Sequence, residues 1–167
     1  FGGLTTITLG YGSGADEVSR RGDEVFAEEV DRHAYRLGVT QVITRNLIMG
    51  LSYEAVADEG YLNNPYRQVR YVDPADPTSW LTQGEVYPET RASNAVAIRG
   101  KYHLPYRAAV SGEYRFFTDD WGIDAHTVEV GYVHPFRARW LFDVRYRFYT
   151  QSAADFFSDL FPYANAQ

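Results

Sequence analysis

Strict alternation of apolar and polar residues is the feature that most constrains this chain. It recurs in seven segments, whereas the spacing typical of an amphipathic helix is almost absent. Successive side chains of a strand point to opposite faces, so each segment predicts a strand with one apolar and one polar face. We predict strands at about 4–12, 32–43, 47–57, 93–104, 107–117, 125–134 and 139–150.

The connections between these segments alternate in length. Tight turns are predicted at 44–46, 104–106 and 134–137. The other connections are longer, polar and rich in loop-forming residues, and they cover about 13–31, 58–92, 118–124 and 151–167. Short turns on one side and long loops on the other are typical of outer-membrane barrels. The sequence therefore predicts an all-β, antiparallel up-and-down transmembrane β-barrel, with residues 1–167 forming part of one domain.

Aromatic residues on the apolar face concentrate at the ends of the predicted strands. The chain has 14 Tyr, a side chain suited to the boundary between apolar and wet surroundings. Small and aliphatic residues lie between two such belts, which indicates an apolar band flanked by aromatic girdles. The predicted girdle residues are Tyr11, Tyr35, Tyr53, Tyr114 and Tyr146 near the long loops, and Tyr102, Tyr132 and Trp140 near the short turns.

A soluble antiparallel sandwich or a lipocalin-like barrel is the alternative fold. Its apolar face would point inward, and alternation alone does not distinguish it from a membrane barrel. The alternating loop lengths, the aromatic belts and the presence of one lysine, Lys101, favour the membrane barrel. The chain has no Cys, and its net charge of −6 argues against a nucleic-acid partner. We expect it in the bacterial outer membrane, in contact with lipid.

The polar face carries the charged residues that we predict to line the lumen. Tight turns place Arg36 across from Glu54 and Arg99 across from Glu113, with Glu129 near Arg145. Such charges could line a passage for solutes or form a ladder of ion pairs that fills a closed barrel. Six basic against four acidic residues predict at most a weak preference for anions; the ten are Arg36, Glu54, Arg99, Lys101, Glu113, Arg115, Glu129, Asp143, Arg145 and Arg147.

Metal and catalytic sites receive little support from the sequence. His33 and His126 each follow an Asp by two residues, but neither pair has a recognisable metal-ligand spacing, and ordinary hydrogen bonding at the rim is expected. Calcium would be the metal to consider if acidic loop residues held one, and the candidates are Asp119, Asp120 and Asp124. No Ser on the apolar face of a predicted strand accompanies His126, so a nucleophile next to a base is missing. We predict neither an enzyme nor a cofactor.

Six segments resemble a bacterial family called domain of unknown function 3570. They are DRHAYRLG at 31–38, TQVITRN at 40–46, DEGYLNNPYR at 58–67, YPETR at 87–91, DDWGIDAHT at 119–127 and QSAADFF at 151–157. The resemblance runs from about residue 4 to the end of the chain and implies an outer-membrane barrel of unestablished activity. Family members are longer, and complete bacterial barrels usually have an even number of strands. We therefore expect seven strands of an incomplete barrel, with further strands at both ends.

These observations predict a porin-like or transport barrel of unknown substrate. The alternative is a structural barrel that anchors or sheathes a partner, such as a lipoprotein or an electron-carrier assembly.

Overall fold

The structure, a computed structural model, describes residues 4–137 and 139–164, apart from the side chain of Glu24. The fold of this part of the chain is built from strands. No helix in these residues is long and apolar enough to cross a membrane. Nine strands are present in them: β1 (Thr5–Arg20), β2 (Asp23–Val42), β3 (Leu47–Gly60), β4 (Gln68–Val72), β5 (Trp80–Gly84), β6 (Thr90–His103), β7 (Ala109–Asp119), β8 (Asp124–Phe136) and β9 (Trp140–Gln151).

Seven of the described strands form one antiparallel sheet, the large sheet, in the order β1-β2-β3-β6-β7-β8-β9. Each strand pairs with its neighbour along the chain, except that β3 pairs with β6 because β4 and β5 form a separate small sheet within the connection. The predicted all-β, antiparallel up-and-down arrangement is confirmed. Each predicted strand is present, although several are longer than the alternation indicated.

The predicted loop at 13–31 is wrong, because this segment continues the hairpin of β1 and β2. The two strands remain paired as far as the register shift at Ser19/Arg20, and a tight turn at Arg21 and Gly22 joins them. Gly22 has a φ of 86°, a conformation that glycine adopts without steric cost. The backbone ladder satisfies the peptide groups whatever the side chains are. A hairpin with both faces exposed therefore needs no alternation of apolar and polar residues. Its polar composition is typical of a loop, and for this reason a loop was predicted here.

The remaining predicted connections need smaller corrections. The 58–92 segment contains the end of β3, the small sheet and the start of β6, and the 118–124 connection shortens to residues 120–123. After Gln151 the described tail has an isolated bridge between Phe161 and Tyr71, while residues 165–167 lie outside the described part. The turn predicted at 134–137 comes later, after Phe136, because β8 continues through Pro135, which pairs with Leu141 near the strand end.

The apolar face of the large sheet is more exposed than its polar face, whereas a soluble protein buries its apolar faces. Large apolar side chains on the apolar face are exposed, including Leu9 at 78%, Leu51 at 55% and Val144 at 63%. On the polar face, Ala97 and Ala125 are buried at 6% and 4% exposure. A soluble sandwich or lipocalin-like barrel would bury its apolar face, whereas none of the described segments covers it here.

Candidate functional site: the charged face of the large sheet

The ten charged residues predicted to line the lumen all lie on the polar face of the large sheet. The strand register places one residue from each of four neighbouring strands in a single row, namely Arg99, Glu113, Glu129 and Arg147. Two carboxylates thus lie side by side between two guanidinium groups. Opposite charges on facing positions stabilise neighbouring strands modestly, by roughly 0.2–1 kcal/mol a pair.

Two of the predicted cross-strand ion pairs are confirmed. Arg36 faces Glu54 with 3.1 Å between Nη2 and Oε1, and Arg99 faces Glu113 with 3.6 Å between Nε and Oε2.

The third pairing is different from the prediction. Glu129 faces Arg147 rather than Arg145, which pairs with Asp143 on its own strand at 3.3 Å. The cause is the late turn after β8, which moves the register of β9 by two residues. Arg145 still lies next to Glu129, since both line the same depression on this face, of about 280 Å³.

Two further ion pairs on this face were not predicted. Arg32 contacts Asp58, and Arg91 contacts Asp119, each with a shortest nitrogen–oxygen distance of 2.6 Å. Both carboxylates are buried, with side-chain exposures of 8% and 0%. The predicted strands began at Arg32 and stopped one or two residues short of the other three residues, so these pairings were overlooked. Extending the period-2 pattern into the polar flanks of the strands would have revealed it.

Of the ten residues predicted to line the lumen, three basic side chains have no acidic ion-pair partner in the described part of the chain: Lys101, Arg115 and Arg147. Lys101 faces Ser111, one row nearer the short turns than the row of four charges. Among those ten residues the paired charges cancel locally, so Lys101, Arg115, Arg147 and Glu129 determine their net charge. The balance is positive, in the same direction as the sequence predicted.

Tyrosine hydroxyl groups at the margins of the apolar face are hydrogen-bonded to polar side chains. Tyr11 pairs with His33 at 3.0 Å and Tyr114 with His126 at 2.8 Å, each between the hydroxyl oxygen and the ring Nδ1. Tyr53 donates to the side-chain oxygen of Asn94 at 2.6 Å. The predicted hydrogen bonding of His33 and His126 is confirmed.

The loop-side tyrosines follow a line that is oblique to the hydrogen-bonded rows. Relative to the row through Tyr11 and Tyr35, Tyr53 lies two residues nearer the short turns, Tyr114 four and Tyr146 six. The shift from β2 to β9 is six residues over five strand-to-strand steps. With about 3.3 Å along a strand per residue and about 4.8 Å between strands, the line is inclined to the rows by about 40°. On the turn side, Tyr102 and Tyr132 lie in one hydrogen-bonded row, and Trp140 on β9 lies four residues nearer the short turns than that row.

Of the three carboxylates considered for calcium, Asp119 is engaged in structural contacts. Asp119 accepts hydrogen bonds from the Arg91 guanidinium and from the backbone N–H groups of Trp121 and Ile123. Asp120 and Asp124 are exposed. Within residues 4–137 and 139–164 no group of three or more metal-ligating side chains occurs.

The family model described as Protein of unknown function (DUF3570) matches residues 5–166. The chain belongs to this family. No curated protein and no solved structure matches it.

In this DUF3570 chain, the loop segments that carry the family resemblance converge at the loop end of the polar face. Trp121, Tyr87 and Phe156 form a cluster with ring centroids 5.2–5.4 Å apart, and the Arg91 guanidinium lies 4.7 Å from the Trp121 ring centroid. Burial and the neighbouring Glu85 raise the pKa of Tyr87 to about 12. The cluster borders a cavity of about 330 Å³, which the charged-face prediction did not include.

Proposed function

We propose that this DUF3570 chain is part of an outer-membrane β-barrel of a bacterial cell and that its polar face lines a solute-conducting lumen. The observation that carries the proposal is the uncovered apolar face of the large sheet, bordered by hydrogen-bonded tyrosines. A bilayer would bury that face without any further protein layer. The same arrangement in water would leave an apolar surface far larger than soluble monomers usually expose.

The slope of the tyrosine line supports a tilted membrane barrel. Strands of such barrels tilt by about 35–45°, so a boundary parallel to the membrane must cross the hydrogen-bonded rows at a similar angle. The line through Tyr35, Tyr53, Tyr114 and Tyr146 has this inclination. In a soluble sheet there is no membrane plane to impose such a slope.

The outer strands of the large sheet, β1 and β9, support closure by further pairing. They have 16 and 12 residues, and every residue of β9 is exposed. Long exposed edges are templates for additional strands, and a closed barrel has no such edges. We infer that strands beyond these edges complete the barrel.

A structural barrel that anchors or sheathes a partner is the second candidate. It is favoured by the packing of loop residues over the loop end of the polar face, where Ala95 and Ala125 are buried and Trp121 is 9% exposed. A lumen occupied in this way could hold another chain rather than pass solutes. No enzymatic activity or cofactor is proposed.

Conductance in planar bilayers tests the proposal with the full-length protein. We expect open channels with a slight preference for anions, measured as a reversal potential in a salt gradient. Lys101→Glu and Arg115→Glu should shift that potential toward cations, because they reverse unpaired charges on the polar face. Arg45→Glu, in the short turn outside the predicted lumen, is the matched control. Inserted protein that never conducts would favour the structural barrel instead.

A further inference from the structure

The cavity at the loop end is a built feature of the fold. Phe161 exchanges backbone hydrogen bonds with both ends of the Arg70–Val72 segment of β4, at 2.9 and 3.0 Å. The indole N–H of Trp121 donates to the Thr90 carbonyl at 2.9 Å. The backbone carbonyl of Trp121 accepts from the Asp155 N–H at 2.9 Å. The connection after β3, the β7–β8 connection and the tail are thereby joined around one space.

The walls of this cavity combine aromatic rings with a few polar groups. Its volume, about 330 Å³, is at the lower end of the range for small-molecule pockets. The aromatic part of the lining comprises Tyr87, Trp121, Phe156, Phe157 and Phe161. Such walls suit a ligand with at least one flat apolar face, because the negatively polarised ring faces attract weakly positive C–H groups.

The charges around the cavity are paired, so an ionic ligand has no unpaired counter-charge in the described lining. Arg67 lies beside Glu85, with 3.6 Å between Nε and Oε2, and Arg91 is bonded to Asp119. The Glu85 side chain is 11% exposed, and its buried Oε2 atom is the one that faces Arg67. A carboxylate accepts hydrogen bonds at both of its oxygens, so the Glu85 side chain, which lines the cavity, offers an acceptor to a ligand. A wholly apolar ligand would make no use of this acceptor.

We propose that the cavity binds one ring of a neutral saccharide. A sugar ring offers C–H faces for the aromatic walls and hydroxyl groups that donate to the Glu85 carboxylate. It carries no charge that would disturb the two ion pairs. This site lies apart from the row of charges in the proposed lumen and does not depend on whether the barrel conducts.

Titration calorimetry on the full-length protein in detergent tests the site, with glucose and maltose as probes. We expect saturable binding of at least one of them, and no comparable binding of glucuronate or phenol. Glu85→Gln should weaken binding about tenfold, the usual size of losing a hydrogen bond to a charged group. Trp121→Phe should reduce it further and abolish any ligand-induced change in tryptophan fluorescence. Trp80→Phe, on the small sheet and outside the cavity lining, is the matched control and should bind normally.

Each outcome has a defined meaning. Absence of binding by glucose and maltose at concentrations up to tens of millimolar overturns the proposal. Stronger binding of glucuronate or phenol overturns the ligand class, as does a Glu85→Gln variant that binds like the unmodified chain. Near-ultraviolet circular dichroism identifies any variant whose loop cluster has collapsed. In that case, binding by the Glu85→Gln variant, which preserves the shape of the side chain, decides whether the cavity binds a saccharide.

Discussion

At the scale of single residues, the cost of a new charge depends on the face that receives it. Leu51 lies at the middle of the apolar face and Thr8 on the polar face of an outer strand. We expect Leu51→Arg to lower the free energy of unfolding by about 2–4 kcal/mol in lipid vesicles, since the charge would meet hydrocarbon. Thr8→Arg is the control and should change it little. Equal effects of the two substitutions in urea titrations would contradict a lipid-facing position for Leu51.

Asp119 illustrates how a buried carboxylate organises a loop. Removing it in Asp119→Ala leaves the Arg91 guanidinium and two backbone N–H groups without their acceptor. Breaking a buried ion pair costs about 3 kcal/mol, so chemical unfolding followed by tryptophan fluorescence should shift accordingly. Asp120→Ala, a neighbouring exposed carboxylate, should change the stability by less than about 0.5 kcal/mol. If Asp119 acted mainly as a calcium ligand, the difference between the variants would disappear when calcium is chelated.

At the scale of elements, the extended β1–β2 hairpin supports the connection that follows β3. The Arg20 guanidinium donates to the Pro65 carbonyl at 2.9 Å, the Arg21 N–H donates to the Tyr66 hydroxyl at 2.7 Å, and Phe26 packs on Tyr61. Ala15 and Asp31 are paired, so an Asn-Gly turn could replace residues 16–30.

We expect the shortened hairpin to insert into lipid normally, because the apolar band on β1 is untouched. Chymotrypsin should cleave after Tyr61 and Tyr66 faster than in the unmodified chain, since those contacts are lost. Glu28→Ser, which keeps the hairpin, is the control. Unchanged cleavage after shortening would mean that the hairpin does not restrain this connection.

The hairpin also marks the limit of what the sequence could predict about elements. Alternation identified the strand segments wherever one face had to be apolar, and it fixed the Arg36–Glu54 and Arg99–Glu113 registers. It failed at residues 13–31 because both faces of that extension are polar and exposed, so only backbone pairing defines the strands. The same failure concealed the Arg32–Asp58 and Arg91–Asp119 ion pairs. The cavity could not be derived because it depends on contacts between segments remote in the chain.

At the scale of the whole molecule, we expect the long connections, including the small sheet, to face outside the cell and the short turns to face the periplasm, because outer-membrane barrels have short periplasmic turns and longer extracellular loops. The chain has no Cys, so single cysteines can report on sidedness. Ala75 lies in the exposed turn between β4 and β5, and Arg45 in the turn between β2 and β3. We expect a membrane-impermeant maleimide to label Ala75→Cys on intact cells. Arg45→Cys should react once the outer membrane is permeabilised, and the reverse order would invert the orientation.

The position of Lys101 has a practical consequence for chemistry on this protein. It is the one lysine of the chain and lies on the polar face, where it faces Ser111 on the neighbouring strand β7. On most proteins, acylating reagents coat the outer surface because lysines are scattered over it. Here the same reagents would convert a single side-chain ammonium group into a neutral amide within the charged face. A bulky acyl group could therefore be introduced there without altering a codon.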